Sequence, residues 1–185
     1  FWRWRNHGAD RRYAKLAERA KQKHGLNFAA FSLLWVFGPQ MLLQMIMSLP
    51  AQFGQITQTT ELGVIAQIGL WLAVFGIIYE AIADAQLAHF KSLSENKDKV
   101  MDRGLWRYSR HPNYFGELCC WWGIWAIALD ASMGLWSLPG PLLITFLLTR
   151  VSGAPTTEPH LQRTRPEYEA YKKRTSAYIP LPPKK

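Results

Sequence analysis

Asn113, Glu117 and Trp121 recur every fourth residue, the spacing that stacks side chains along one face of an α-helix. An amide that donates and accepts, a carboxyl that moves a proton, and an indole with a flat apolar face form a set that could hold and act on a ligand. The setting sharpens the point. RYSRHPNYFGELCCWW, residues 107 to 122, turns without a linker from a basic polar run into a Trp-rich apolar run, and Glu117 lies inside the apolar part. An ionisable residue at membrane depth is costly, faces protein or a water-filled cavity, and marks function unless a structural partner explains it. Arg110 and Arg150 are the candidates for such a partner, and Trp121 has its own plain reading as a belt or packing aromatic. A second polar stripe lies upstream in EAIADAQLAHFK, where Glu80, Asp84 and Lys91 follow at helical spacing. These are either the solvated end of a protruding helix or carboxylates at the same membrane mouth as Asn113.

The elements that must position these residues follow from how charge is distributed. Mean hydropathy is only −0.12, because charge is confined between apolar stretches and the average describes neither. No charged side chain occurs over 26–60, 62–79 or 131–149. Since about 20 apolar residues cross a bilayer core, four spans are expected, near 28–49, 62–86, 113–130 and 137–152. Gly38-Pro39 should kink the first. The second should continue past Tyr79 as one helix into a polar environment, and Pro112 should start the third, where its missing N–H costs nothing. All 22 Lys and Arg fall within residues 3–23, 91–110 and 150–185, segments that share one side if four spans connect them. The positive-inside rule makes that side cytoplasmic. The fold class is therefore an all-α polytopic transmembrane bundle. It forms one domain over 1–185, with a cytoplasmic segment at 1–25, spans and a loop over 26–152, and a basic, aromatic cytoplasmic tail at 153–185.

The net charge of +9 is explained by topology alone or by an anionic ligand, such as a nucleotide with phosphates, on the cytoplasmic face. Nucleic acid is excluded as a partner because the basic residues are interleaved with spans. Cys119 and Cys120 are adjacent and suit no disulfide or metal pattern, and no His, Cys or carboxylate spacing matches a zinc or di-iron site. Membrane lipid is an expected partner, and oligomeric state is left open. FWRWRN, with no initiating Met, suggests that spans precede Phe1.

GLWRYSRHPNYFGE followed by a Trp-containing helix, with EAIADAQLAHFK before it, resembles the steroid 5-alpha-reductase family and its bacterial relatives over roughly residues 62–180. The resemblance implies a seven-span membrane enzyme, in a bacterial inner membrane with its cofactor side cytoplasmic, that transfers hydride from NADPH to the C=C bond of an enone lipid such as a 3-oxo-4-ene steroid. It implies Asp84 and Glu80 at the cofactor, Lys91 and Lys99 near its phosphates, Asn113 and Glu117 at its nicotinamide end, Trp121 lining an apolar substrate cavity, and His160 near the adenosine end. Arg11 and Tyr13 match an early loop that touches cofactor. Arg103, Tyr108, Arg110 and His111 complete the expected cofactor set, and Glu117 is the expected catalytic carboxyl, as donor to the cofactor amide or member of an acid network. The Tyr and Glu that would hold the substrate ketone lie upstream of this chain. Two other classes compete. The RHPxY turn and the YKKRTSAYIP tail also resemble membrane methyltransferases of the isoprenylcysteine type, which use S-adenosylmethionine. Those enzymes usually have an apolar or aromatic residue where Glu117 stands and a Glu-Glu pair where this chain has Glu158-Pro159. A non-catalytic lipid-binding or scaffold protein would bind no nucleotide.

Overall fold

A computed structural model describes Glu18, residues 28–56 and residues 61–184. Arg11 and Tyr13 lie outside these residues, as does most of the segment read as a cytoplasmic start. All regular structure among the described residues is helical, and one isolated parallel bridge joins Ser109 to Ser176. The chain divides into two compact units, Phe1–Met45 and Ile46–Lys185.

In the first unit, helix α1 (Phe28–Ser32) passes through a π-helical turn, Leu33–Phe37, into α2 (Gly38–Met47). The expected kink at Gly38-Pro39 takes this form. Pro39 donates no hydrogen bond and its ring excludes the carbonyl four residues back; the widened turn absorbs both effects, and Gly38 N–H donates five residues back to Leu33. Leu33, Leu34, Trp35, Phe37, Met41 and Leu42 stand exposed.

The second unit is built on an antiparallel pair, α4 (Val64–Ser92) and α5 (Pro112–Ala128). Helix α4 is the single 29-residue helix expected from 62 onward, carrying its period from apolar into polar sequence. Pro112 opens α5 at its first position, as expected. The two helices touch along small residues spaced by seven. A Cβ on Gly76 would come within 2.5 Å of the Cys120 nitrogen and the Gly116 carbonyl, and one on Gly116 within 2.7 Å of the Glu80 nitrogen. Gly69 and Gly123 repeat the contact one heptad further along. Backbones can approach this closely only where side chains are absent, the packing that serves helices in lipid.

Short helix α3 (Leu49–Gly54) rests on α5, with Gly54 against Ala128, and α6 (Pro139–Phe146) continues through a second π turn, Leu147–Val151. Helices α7 (Ala154–Thr164) and α8 (Tyr168–Arg174) follow. The start of the tail, read from sequence only as basic and aromatic, is thus helical. Among the described residues, three stretches are long and apolar enough to cross a membrane: Ala29–Met47, Val64–Ser92 and Gly134–Thr164. The fourth expected span forms as α5, but its 17 residues extend about 25 Å, short of a hydrocarbon core of about 30 Å. Val64, Ile65, Ile68, Trp71, Phe75, Ile78 and Ile82 point outward along α4, a surface made for lipid and costly in water. The protein has the build of a membrane protein.

Candidate functional site

Helices α4 and α5 bring the two polar stripes together. Because Gly116 lets the α4 backbone approach at Glu80, the next turns of the pair oppose each other, and Asn113 Nδ2 donates to Asp84 Oδ1 at 3.1 Å. An ionised carboxylate only accepts, so the Asn113 nitrogen must be the atom facing Asp84. That leaves Asn113 Oδ1 buried with no hydrogen-bond partner. One turn further into the apolar region, Glu117 is half-buried and electrostatically within reach of Glu80 and Asp84. Glu80, Asp84, Asn113 and Glu117 therefore form one cluster at the crossing, and Trp121 follows Glu117 one turn on along α5. Neither Arg110 nor Arg150 forms an ion pair with Glu117.

Asn113 also belongs to a cleft of about 490 Å³ lined by Lys91, Trp106, Arg110, His111, Tyr114, His160, Arg165, Tyr168 and Tyr171, among others. No carboxylate lines it. A second cleft, about 360 Å³, shares Leu87, Lys91, Met101 and Arg165 with the first and adds Lys97, Asp98 and Lys99. Of the expected cofactor residues, Lys91, Arg110, His111, Asn113 and His160 thus line the larger cleft and Lys99 the smaller. Arg103 and Tyr108 line neither and stand exposed.

The floor of the larger cleft is held by the loop after α4 and by the tail. Gly104, at φ +57°, sits where a Cβ would meet Gln86 Oε1 at 2.5 Å, and the Gln86 side chain accepts from Leu105 N–H at 2.9 Å. Only glycine adopts that turn without strain. Trp106 Nε1 then donates to the Ala83 carbonyl at 2.9 Å, fixing the loop to α4. The tail returns across the start of α5. Arg110 N–H donates to Ser176 at 2.8 Å and His111 N–H to Ala177 at 3.1 Å, while Leu181 N–H donates to Tyr108 at 3.0 Å. The Tyr171 hydroxyl donates to the carbonyls of Trp106 and Ser109. Burial, and next the neighbouring Tyr168, push the Tyr171 phenol well above its ordinary range.

Glu158 ties these parts together. Its side chain, only 8% exposed as a residue, accepts from Arg110 Nε at 2.9 Å, faces His111 Nε2 at 3.1 Å and meets Lys172 Nζ at 3.4 Å. Arg110 also donates to the carbonyls of Thr175, 2.7 Å, and Lys172, 3.2 Å. Arg110 and His111, expected as cofactor contacts, are thus first of all ligands of a tail carboxylate, although both still border the cleft. Sequence reasoning missed Glu158 as an organiser and missed Arg165 and Tyr168 in the cleft. The signal for Glu158 was present: it is the only acid between Ala131 and Pro166, in a segment otherwise basic or apolar.

Over residues 1–175 the chain matches the family model described as Protein of unknown function (DUF1295), and it belongs to that family. No curated protein and no solved structure matches it.

Proposed function

We propose that this DUF1295 member is an integral membrane reductase that uses NADPH to reduce the C=C bond of an enone lipid, with a 3-oxo-4-ene steroid as the leading substrate class. In this reading it is part of a seven-span bundle in a bacterial inner membrane, with both clefts on the cytoplasmic side. The observation that carries the reading is Asn113 Oδ1. It is a buried, unpaired acceptor, held by Asp84, placed between a cation-lined cleft and a carboxyl cluster in apolar helix.

The residues present fit the cofactor. An orphaned amide oxygen suits the N–H₂ of a carboxamide. Lys91, His160 and Arg165 around the larger cleft, with Lys97 and Lys99 in the smaller, suit phosphates. Asn113, Lys91, His160 and Arg165 would hold NADPH, which supplies a hydride when bound. The chain's own residues do the rest. Asp84 fixes the Asn113 amide so that its acceptor faces the ligand. Glu117, Glu80 and Asp84, gathered at one crossing, handle the proton that an enone needs at its carbonyl oxygen or alpha carbon. Trp121 offers a flat face to an apolar substrate.

The test is a titration of purified protein with NADPH and an assay of enone reduction, for the parent, Glu117→Gln and Asp84→Ala. Glu117→Gln should lower turnover by about 10²-fold or more, the scale of a lost general acid, with cofactor affinity retained. Asp84→Ala should weaken NADPH about tenfold by freeing Asn113. Parent-like affinity and turnover in both variants would refute the assignment. A methyltransferase using S-adenosylmethionine is the second reading, favoured by the tail carboxylate Glu158 seated on Arg110 and His111 of the RHPxY turn. It requires binding of S-adenosylmethionine and none of NADPH.

A further inference from the structure

Arg165 was not among the residues expected at the site, yet of the cations in the clefts it is the one held most firmly without a counter-charge. Its N–H donates to the Leu161 carbonyl at 2.9 Å and its carbonyl accepts from Tyr168 N–H at 3.0 Å, so the backbone is fixed on both sides. Extended angles, φ −136° and ψ 103°, turn the chain out of α7 there, as the following Pro166 favours. The side chain lines both clefts at their shared wall. Its Nε is buried and has no hydrogen-bond partner. A guanidinium nitrogen withdrawn from water without an acceptor is unfavourable, and buried donors of this kind are rare.

Lys91 is the other cation common to the two clefts, and it is exposed. Among the described residues neither Lys91 nor Arg165 forms an ion pair, whereas Arg110 in the same cleft is answered by Glu158. Asp98 is the one carboxylate in the two linings, against Lys91, Lys97, Lys99 and Arg165. Two unanswered cations at one wall call for a dianion. A phosphate monoester carries about two charges at neutral pH and three acceptor oxygens, and a guanidinium matches it in bidentate fashion; a diester, with one charge, would leave one cation unanswered.

We propose that Arg165, assisted by Lys91, forms a seat for a phosphate monoester at the junction of the two clefts, and that Arg165 sets the preference for a phosphorylated over an unphosphorylated nucleotide. This rests on the nucleotide reading above. The experiment measures dissociation constants of NADPH and NADH, which differ by one phosphate monoester, on the purified full chain for the parent, Arg165→Ala, Arg165→Lys and Lys91→Ala. Arg165→Ala should weaken NADPH about tenfold or more and NADH less than about twofold, with Arg165→Lys between parent and Ala. Lys91→Ala, at an exposed position that leaves the fold intact, should weaken NADPH by about threefold and spare NADH. Should Arg165→Ala fail to fold, Arg165→Lys and Lys91→Ala carry the test. Equal weakening of both nucleotides, or unchanged NADPH affinity, overturns the seat and leaves the nucleotide reading standing. A parent protein that binds neither nucleotide removes that reading, and the seat with it.

Discussion

Replacing Glu158 by Ala should detach the tail from the start of α5. The carboxylate accepts from Arg110 Nε at 2.9 Å and faces His111 Nε2 at 3.1 Å and Lys172 Nζ at 3.4 Å. Side-chain exposures of 12% for Arg110 and 11% for Glu158 place the pair close to the buried limit, where removing one partner costs about 3–5 kcal/mol. Two corrections lower that figure. Arg110 keeps its bonds to the Thr175 and Lys172 carbonyls, and the end of its side chain reaches some water, so about 2–3 kcal/mol is expected for Ala. Gln keeps the shape and an acceptor but not the charge, and should cost about 1–2 kcal/mol. For a chain of this size 1 kcal/mol moves a melting midpoint by about 2–4 °C, so Glu158→Ala should lower it by roughly 4–12 °C in detergent. Limited trypsin digestion reads the same event locally, because Lys172, Lys173 and Arg174 lie in the helix that Glu158 and Tyr171 pin down. Cleavage there should accelerate in the order parent, Gln, Ala. A Glu158→Ala protein with parental melting and parental cleavage would refute the view that this carboxylate organises the site.

Two further outcomes follow from the packing and from the tail. Gly76→Val should separate α4 from α5, since a Cβ already comes within 2.5 Å of backbone on the facing helix; a loss of about 1–3 kcal/mol or more, with Gly116→Val alike, would appear as reduced folded yield in detergent, and parental yield and melting would sink the close-contact account. Tyr171 has its phenol pushed above the ordinary value by burial, so folded protein holds that proton more tightly than unfolded chain does. Its contribution to stability is complete below about pH 10 and falls as pH rises above that, by up to about 1.4 kcal/mol per pH unit. Tyr171→Phe should melt lower at pH 8 but lose less between pH 10 and 11 than the parent, and equal alkaline slopes would contradict the assignment.

Much of the helical layout was legible because charge and apolarity are segregated along this chain. Pro112 marked the start of α5, and the uncharged run 62–79 with the helical period continuing through EAIADAQLAHFK marked α4. The stripe of Asn113, Glu117 and Trp121 was readable from helical period alone, and so was Glu80 with Asp84. Their meeting at one membrane mouth was one of two alternatives the sequence left open, because the choice depends on which faces of two helices touch. A signal was available in the seven-residue spacing of Gly69 and Gly76 and again of Gly116 and Gly123, a small-residue seam that dictates those faces. Glu158 is a different kind of miss. It reaches Arg110 across 48 residues, and no local pattern announces a partner that distant. Arg165 was hidden for a third reason: a basic residue in a basic tail looks solvated until the chain turn before Pro166 places it between two clefts.

Small-residue seams hold helices close but tolerate sliding, and here sliding would destroy the site. A one-heptad slip would still set Gly69 against Gly116, yet it would carry Glu80 about 10 Å past its present neighbours. The ends of the pair prevent this. Gly63 N–H, at the start of α4, donates to Asp130 Oδ2 at 2.6 Å from the loop after α5, an anionic cap that also favours the helix dipole. At the other end Asp84 holds Asn113, and the Trp106 indole holds Ala83. The two pins lie about 32 Å apart along α4, close to the thickness of a hydrocarbon core, so each falls where polar groups are least costly. Asn113 is therefore one of the pins as well as the residue with the unpaired acceptor. The fold obtains its register and the site obtains its orientation from the same Asp84 hydrogen bond, which is why Asp84→Ala should lower ligand affinity and helix-pair stability together.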